Sequence, residues 1–206
     1  MSMRSFLILA AAGFPAVLAG QTMPLALSES EEIALARSAA PASVSGEATV
    51  LVLRGNRFEV AVEGTSGVSC MVGRSRIVSL EPICYDEEAS RTIMQIEIRL
   101  VEALLEGRQR DEVEAEIAEA IGRGELPIPS RPAVAYMLSS GQILISDDGT
   151  NVGAWRPHYH TYIPFVTAAD LGLSGPPDFN LPFVDKEGEP TASIITVLSE
   201  FVDPES

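Results

Sequence analysis

The chain has 206 residues, with 14 basic and 29 acidic side chains and a formal net charge of −15 at pH 7. This excess of carboxylates opposes binding to nucleic acid or anionic lipid, because both interactions depend on Lys and Arg neutralising phosphates. Lys186 is the only lysine, which leaves one candidate for Schiff-base chemistry.

The first 19 residues are typical of a cleaved secretory signal. Arg4 precedes an apolar run over residues 6–19, which ends in the small-residue pattern VLA that a signal peptidase reads. The run is shorter than the roughly 20 residues of a membrane span. It also contains Gly13 and Pro15, so a cleaved signal is favoured over a retained anchor.

Cleavage predicts a mature chain of residues 20–206 with no transmembrane anchor, located in the periplasm or outside the cell. Gln21 stands where a lipoprotein signal places cysteine, so lipid attachment is not expected. A chain of this length fits one domain with a sizeable core. We therefore expect a single exported domain.

Cys70 and Cys84 are the only cysteines. An even count in an oxidising compartment favours a disulfide, which would close a loop of about 15 residues and stabilise the fold by ~3 kcal/mol. The alternative is a thiol enzyme that uses Cys70 or Cys84 as nucleophile. No CxxC motif supports a redox role, and a thiol must stay reduced outside the cytosol, so the structural bridge is favoured.

The N-terminal half of the chain combines a short helix with three strands. Ser28 and Glu31 resemble a capping box, which predicts a helix over residues 29–39. The runs 47–54 and 57–63 are joined across Gly55-Asn56 and predict a β-hairpin. A third strand at 68–72 would extend the hairpin into a meander.

Two helices are predicted after the cysteines. Apolar residues recur at intervals of three and four over 86–106, and a second helix at 111–122 has an acidic outer face. That face could be an acidic metal-binding cluster, but a charged surface exposed to solvent is far commoner on such helices. Strands at 133–138, 142–146, 157–165 and 192–201 complete an α+β fold, in which two or three helices pack on one face of a mainly antiparallel sheet.

The segment GAWRPHYHTYIPF contains both histidines of the protein, His158 and His160. Their spacing places them on one face of a strand, in line with Tyr162. Two such imidazoles can bind a divalent metal such as zinc if carboxylates complete the site, and the candidates are Asp147, Asp148 and Asp170. The favoured alternative is that both histidines are partly buried polar aromatics hydrogen-bonded in the sheet, since two-histidine matches often arise by chance.

The same segment could line a pocket for an apolar or ring-bearing ligand. Trp155 and Tyr162 would supply aromatic surface together with Tyr159 and Phe165, and Arg156 would anchor an anion. Such clustering is more often simply core. The sequence has no GxSxG, HExxH, Walker or GxGxxG motif.

The phrases ARSAAPASVSGEATVLVL, EGTSGVSCMVGR, PICYDEEASRT and RPAVAYMLS resemble those of a family of uncharacterised exported bacterial proteins. The resemblance covers most of the mature chain. It implies a bacterial, extracytoplasmic setting and brings no activity, ligand or catalytic residue with it.

Two functions remain compatible with the sequence. The first is an exported module that binds a small molecule or an envelope protein, with Trp155, Arg156, His158, His160 and Tyr162 as the binding residues. The alternative is a metal-dependent hydrolase-like enzyme that uses His158 and His160.

Overall fold

A computed structural model describes residues 25–74, 76, 78–146 and 149–204. The predicted signal, residues 1–19, and two of the proposed metal ligands, Asp147 and Asp148, lie outside the described residues. Within the described ranges, no helix has the length and apolar character needed to cross a bilayer.

The fold combines five α-helices with ten strands in this described part of the chain. The helices are α1 (Glu29–Arg37), α2 (Ala42–Ser45), α3 (Glu87–Arg91), α4 (Ile93–Leu105) and α5 (Arg110–Gly122), and a 3-10 helix spans Ala168–Leu171. The strands are β1 (Thr49–Arg54), β2 (Arg57–Val62), β3 (Ser69–Gly73), β4 (Glu81–Tyr85), β5 (Ala133–Met137), β6 (Leu144–Ile145), β7 (Asn151–Gly153), β8 (His158–Tyr162), β9 (Phe183–Asp185) and β10 (Ser193–Val197).

Eight strands form one sheet in the order β2-β1-β3-β4-β5-β8-β10-β9, and β6 and β7 form a separate hairpin. The α+β class is as predicted, but the sheet is mixed, because β1 and β3 pair in parallel. The predicted meander is therefore wrong: β3 lies beside β1 and not beside β2.

The chain reaches this arrangement by crossing closely over the start of β1. The backbone N–H groups of Thr65 and Ser66 donate to the Glu47 carbonyl at 2.9 and 3.2 Å. A Cβ at Gly64 would lie 2.1 Å from the backbone nitrogen of Thr49, so only glycine fits this crossing. The crossing delivers β3 to the free edge of β1.

Helices cover both faces of the sheet, which corrects the prediction of two or three helices on one face. Strands β1, β3 and β4 are buried on both sides, as their near-continuous apolar sequences require. One face packs against α1 and the other against α3 and α4. The first face buries Leu35, Ala36, Val50, Cys70, Val72 and Cys84, and the second buries Leu51, Met71, Ile83, Tyr85, Ile93 and Met94.

The structure also has more helices than predicted, because two helices, α3 and α4, take the place of the single helix predicted over 86–106. Thr92 has φ −121° and ψ −81°, which breaks the helical path between α3 and α4. Its hydroxyl donates to the Glu88 carbonyl at 2.6 Å and so satisfies a group at the end of α3. Helices α3 and α4, on either side of this break, pack on the same face of the sheet.

A disulfide joins Cys70 and Cys84, which lie directly opposite each other on β3 and β4. Their Cα atoms are 4.0 Å apart and both residues are fully buried under α1. This is the bridge that the sequence favours. Neither cysteine carries a free thiol, which removes the basis of the thiol-enzyme alternative.

Chemical labelling tests this bridge directly. Protein unfolded without reductant is expected to gain no alkyl group on treatment with iodoacetamide, whereas reduced protein should gain one on each cysteine, as measured by intact mass. Labelling of the unreduced protein would show free thiols and restore the thiol-enzyme alternative.

Candidate functional site

A cavity of about 420 Å³ opens between α4 and the sheet face that carries β4, β8 and β10. α4, β4 and β8 contribute most of the wall, and β10 contributes Ile195. The residues from α4 are Ile93, Ile96 and Glu97, those from β4 are Glu81, Ile83 and Tyr85, and those from β8 are His158, His160 and Tyr162. The volume lies within the usual range for small-molecule sites.

The pairing of β8 explains why its side chains reach the cavity. His160 lies between Ala135 of β5 and Ile195 of β10, and the next position on the same face, Tyr162, lies opposite Ala133. The small alanine side chains leave room beside the larger rings. The His158 and His160 ring centroids are 5.2 Å apart, and His160 stacks on Tyr162 at 5.6 Å.

Both imidazoles are held in the neutral state. Burial lowers the pKa of His158, and burial together with the neighbouring His158 and Lys186 lowers the pKa of His160 to about 3. His158 Nδ1 lies 2.8 Å from the Arg156 carbonyl oxygen, which can only accept, so Nδ1 carries the proton. Its Nε2 therefore presents a lone pair.

His160 is fixed by β10, because its Nδ1 lies 2.9 Å from the hydroxyl of the buried Ser193. No described residue forms a hydrogen bond with Nε2 of either histidine. The favoured interpretation from the sequence, of histidines hydrogen-bonded in the sheet, thus holds for Nδ1 of each ring, whereas Nε2 has no hydrogen-bond partner in the part of the chain that the structure describes.

Two glutamates approach each other at the α4 side of the cavity. Burial, followed by the negative charge of Glu81, raises the pKa of Glu97 to about 7, against the smaller opposing effects of Lys186 and Arg110. A Cβ at Gly73 would lie 3.7 Å from Glu97 Oε1, and Gly73 pairs with Glu81 in the sheet. The Glu97 carboxyl group therefore lies over the end of β3, beside Gly73.

Two tyrosines add hydroxyl groups to the lining of the cavity. Burial and the nearby Glu97 raise the pKa of Tyr85 and of Tyr162, so both phenols stay protonated. Tyr85 is 2% exposed, yet neither phenol hydroxyl forms a hydrogen bond with a described residue. These hydroxyl groups are therefore available to a molecule in the cavity.

Trp155 lines the cavity, whereas Arg156 does not. The Trp155 backbone N–H donates to Gln142 Oε1 at 2.9 Å, and its ring packs edge-to-face on His158 with centroids 4.5 Å apart. Arg156 is exposed and donates to the Phe179 carbonyl at 3.1 Å. The structure therefore places the proposed anion anchor outside the cavity.

The other predicted aromatic residues also lie outside it. Tyr159 points to the opposite face of β8, where its ring centroid is 6.5 Å from that of Tyr136. Phe165 is exposed and has φ 66°. Only Trp155 and Tyr162 of the predicted aromatic set line the cavity.

The proposed metal ligands are only partly brought together. His158 and His160 are adjacent, but Asp170 is exposed at the 3-10 helix, where its carboxylate accepts from the backbone N–H and the hydroxyl of Thr167 at 2.8 and 2.7 Å. Among the described residues, no group of three or more His, Cys, Asp or Glu side chains is arranged to hold a metal ion. The other two proposed ligands, Asp147 and Asp148, lie outside the described residues.

Sequence reasoning missed five titratable lining residues: Glu81, Tyr85, Glu97, Asp185 and Lys186. Glu97 carried a usable signal, because it interrupts the apolar stripe formed by Ile93, Ile96 and Leu100. The other four residues lie far along the chain from the segment that contains the histidines, and they reach the cavity only through the fold. In comparisons with protein-family models, curated proteins and solved structures, nothing matched this chain.

Proposed function

We propose that the protein binds a small molecule in the cavity between α4 and β8. The walls are apolar and aromatic over much of their area, with a few polar groups that converge on one space, which is the usual composition of a ligand pocket. Export to the cell envelope remains part of this proposal, supported by the signal-like N-terminus and by the disulfide.

The observation that carries the proposal is a set of polar atoms that reach one cavity and have no hydrogen-bond partner among the described residues. Among the described residues, the buried side-chain atoms without a partner are Arg37 Nε, Arg74 Nε and Arg74 Nη1, so the polar atoms of this set are accessible from the cavity and are not sealed in the core. Here His158 Nε2, His160 Nε2 and the hydroxyl groups of Tyr85 and Tyr162 line one cavity and form no hydrogen bond with a described residue. A bound ligand would satisfy these groups together.

A library screen on the purified protein tests this function. A ligand is expected to raise the unfolding temperature and to change the fluorescence of Trp155, which is the only tryptophan and lines the cavity. Tyr162→Phe should weaken a ligand that uses this hydroxyl about fivefold, since one hydrogen bond is worth ~1 kcal/mol.

Tyr159→Phe is the matched control, because it removes the same atom from the opposite face of β8. It should leave affinity unchanged. Ligands that raise the unfolding temperature without changing Trp155 fluorescence, or that respond equally to both variants, would place binding elsewhere.

A metal-dependent enzyme remains the second candidate, favoured by the adjacent lone pairs on His158 and His160. Protein purified without chelator and found to hold stoichiometric zinc, released in His158→Asn, would support it. Failure to take up added zinc would exclude it.

A further inference from the structure

We propose that the cavity selects small organic cations, namely amines with an aromatic or apolar group, and binds the ammonium group at Glu97. This inference rests on the proposed small-molecule function and specifies its ligand class. It is carried by the charges, the hydrogen-bonding character and the aromatic wall of one cavity.

The charges that line the cavity are mostly negative. Glu81, Glu97 and Asp185 supply three carboxyl groups, whereas Lys186 is the only Lys or Arg side chain among the described lining residues. With three carboxyl groups against one ammonium group, an anionic ligand would meet net repulsion here, while a cationic ligand would be attracted. The strongly acidic chain as a whole also attracts cations toward its surface.

The hydrogen-bonding groups favour the same ligand. His158 is 4% exposed, and its Nε2 is an acceptor because Nδ1 donates to the Arg156 carbonyl. The carboxylate oxygens of Glu97 also accept, and no described residue donates to them. A cavity rich in acceptors is complemented by a ligand rich in donors, and an ammonium group has three N–H bonds.

Tyr85 adds an accessible hydroxyl group to the wall of the cavity. Its side chain is almost fully buried and lines the cavity, but its hydroxyl has no hydrogen-bond partner among the described residues. Because a phenol both donates and accepts, its oxygen can accept from an ammonium group.

The aromatic wall provides for the rest of the ligand. Trp155, His160 and Tyr162 supply aromatic rings to the cavity. Phe179 and Phe183 do not line it, but they pack edge-to-face against the Trp155 ring, with centroids 5.9 and 6.3 Å away, and so hold that ring in place. Aromatic faces attract cations and bury apolar rings. We therefore place the ring of the ligand against Trp155 and its ammonium group toward α4.

Ionisation of Glu97 should couple binding to pH. A cation stabilises the ionised carboxylate, so affinity should rise as the pH increases through the pKa of Glu97, near 7. Several groups set the field at this carboxyl from the elements around it. They are Glu81 and Tyr85 on β4, His158, His160 and Tyr162 on β8, Asp185 and Lys186 at β9, and Arg110 on α5.

The test uses three probes of matched size: phenethylamine, 2-phenylethanol and phenylacetate. Trp155 fluorescence and calorimetry should show that phenethylamine binds at least about tenfold more tightly than the other two at about pH 8. Between about pH 8 and pH 6 its affinity should fall about tenfold, because the ionised fraction of Glu97 falls by that factor.

Two substitutions should change binding in opposite directions. Glu97→Gln should weaken phenethylamine about tenfold at about pH 8 and remove the pH dependence, whereas the exposed control Glu112→Gln should do neither. Lys186→Asn should strengthen binding by removing the competing cation. Asparagine suits position 186 because φ there is 52°.

The outcomes separate the two proposals. If 2-phenylethanol or phenylacetate binds as tightly as phenethylamine, and Glu97→Gln changes nothing, the cavity binds small molecules but does not select cations. If none of the probes alters Trp155 fluorescence at millimolar concentration, the cation proposal is wrong. If the library screen also yields no ligand, the proposed function fails with it.

Discussion

Glu32→Leu is expected to lower the free energy of unfolding by about 3 to 5 kcal/mol, because it leaves the guanidinium of Arg74 buried without a counter-charge. Glu32 lies on α1 and Arg74 directly follows β3. They are 3% and 2% exposed, and Arg74 Nη2 lies 3.6 Å from Glu32 Oε1. The pair is enclosed between the helix and the sheet.

The pair is costly to break because water cannot replace the lost partner. Burial raises the pKa of Glu32 and lowers the pKa of Arg74, each against the attraction of the other. Glu32 also accepts from the backbone N–H of Leu53 at 3.2 Å, so its removal leaves that donor unpaired as well. Arg74 Nε and Nη1 are buried without a hydrogen-bond partner in the structure as described.

A double-mutant cycle measured by chemical unfolding tests this prediction. Arg74→Met should cost a similar amount, whereas Glu32→Leu/Arg74→Met should cost less than either single substitution, since apolar side chains can replace a buried ion pair at little cost. Glu29→Leu is the control. It breaks the exposed 2.8 Å pair with Arg54 and should cost less than about 1 kcal/mol.

If the double variant loses as much free energy of unfolding as the two single variants combined, Glu32 and Arg74 do not stabilise each other. A loss of less than about 1 kcal/mol in Glu32→Leu would show that the guanidinium reaches solvent.

Local sequence patterns predicted the elements of the fold better than their arrangement. The hairpin across Gly55-Asn56 follows from alternation and turn chemistry, both of which depend on adjacent residues. The parallel pairing of β1 with β3 depends on a close crossing at Gly64, whose requirement for glycine is visible only once the two segments meet in space. Strand partners are chosen by such long-range contacts.

The candidate site shows the same division. The two-residue period of a strand predicted that His158, His160 and Tyr162 share a face, and β8 places them so. Closeness to the histidines in sequence did not predict which carboxylates lie near them in space. Asp170, chosen on that ground, instead caps a 3-10 helix. Of the three carboxyl groups that line the cavity, that of Glu97 is some sixty residues away from the histidines, on α4.

Glu97→Gln is expected to make the unliganded protein more stable at about pH 8 by about 2 to 3 kcal/mol while changing little at about pH 4. The ordinary pKa of 4.5 is raised to about 7 in the folded chain, mainly by burial. Between pH 4.5 and 7, Glu97 is mostly protonated in the native state and mostly ionised in the unfolded state. The protonated Glu97 carboxyl group therefore stabilises the wild-type fold fully below pH 4.5, and this contribution to the free energy of unfolding is lost as the pH rises through 7.

The histidines contribute with the opposite sign. The folded pKa of His160 is lowered from 6.5 to about 3, so its contribution is present above pH 6.5 and is lost as the pH falls. Between pH 4.5 and 6.5, Glu97 makes the free energy of unfolding of the wild type fall with rising pH, whereas His160 makes it rise. Subtracting the wild-type curve from that of Glu97→Gln removes the histidine contribution and isolates the carboxyl group.

Urea unfolding across this pH range provides the measurement, with the exposed Glu112→Gln as a control whose difference from wild type should stay flat. An equally flat difference for Glu97→Gln would mean that this carboxyl titrates as an ordinary surface group. A rising difference would mean that the folded chain maintains a carboxylate at neutral pH against its own stability. Because proteins tolerate such a cost chiefly at functional sites, that result would locate function at the α4 wall of the cavity, independently of any ligand.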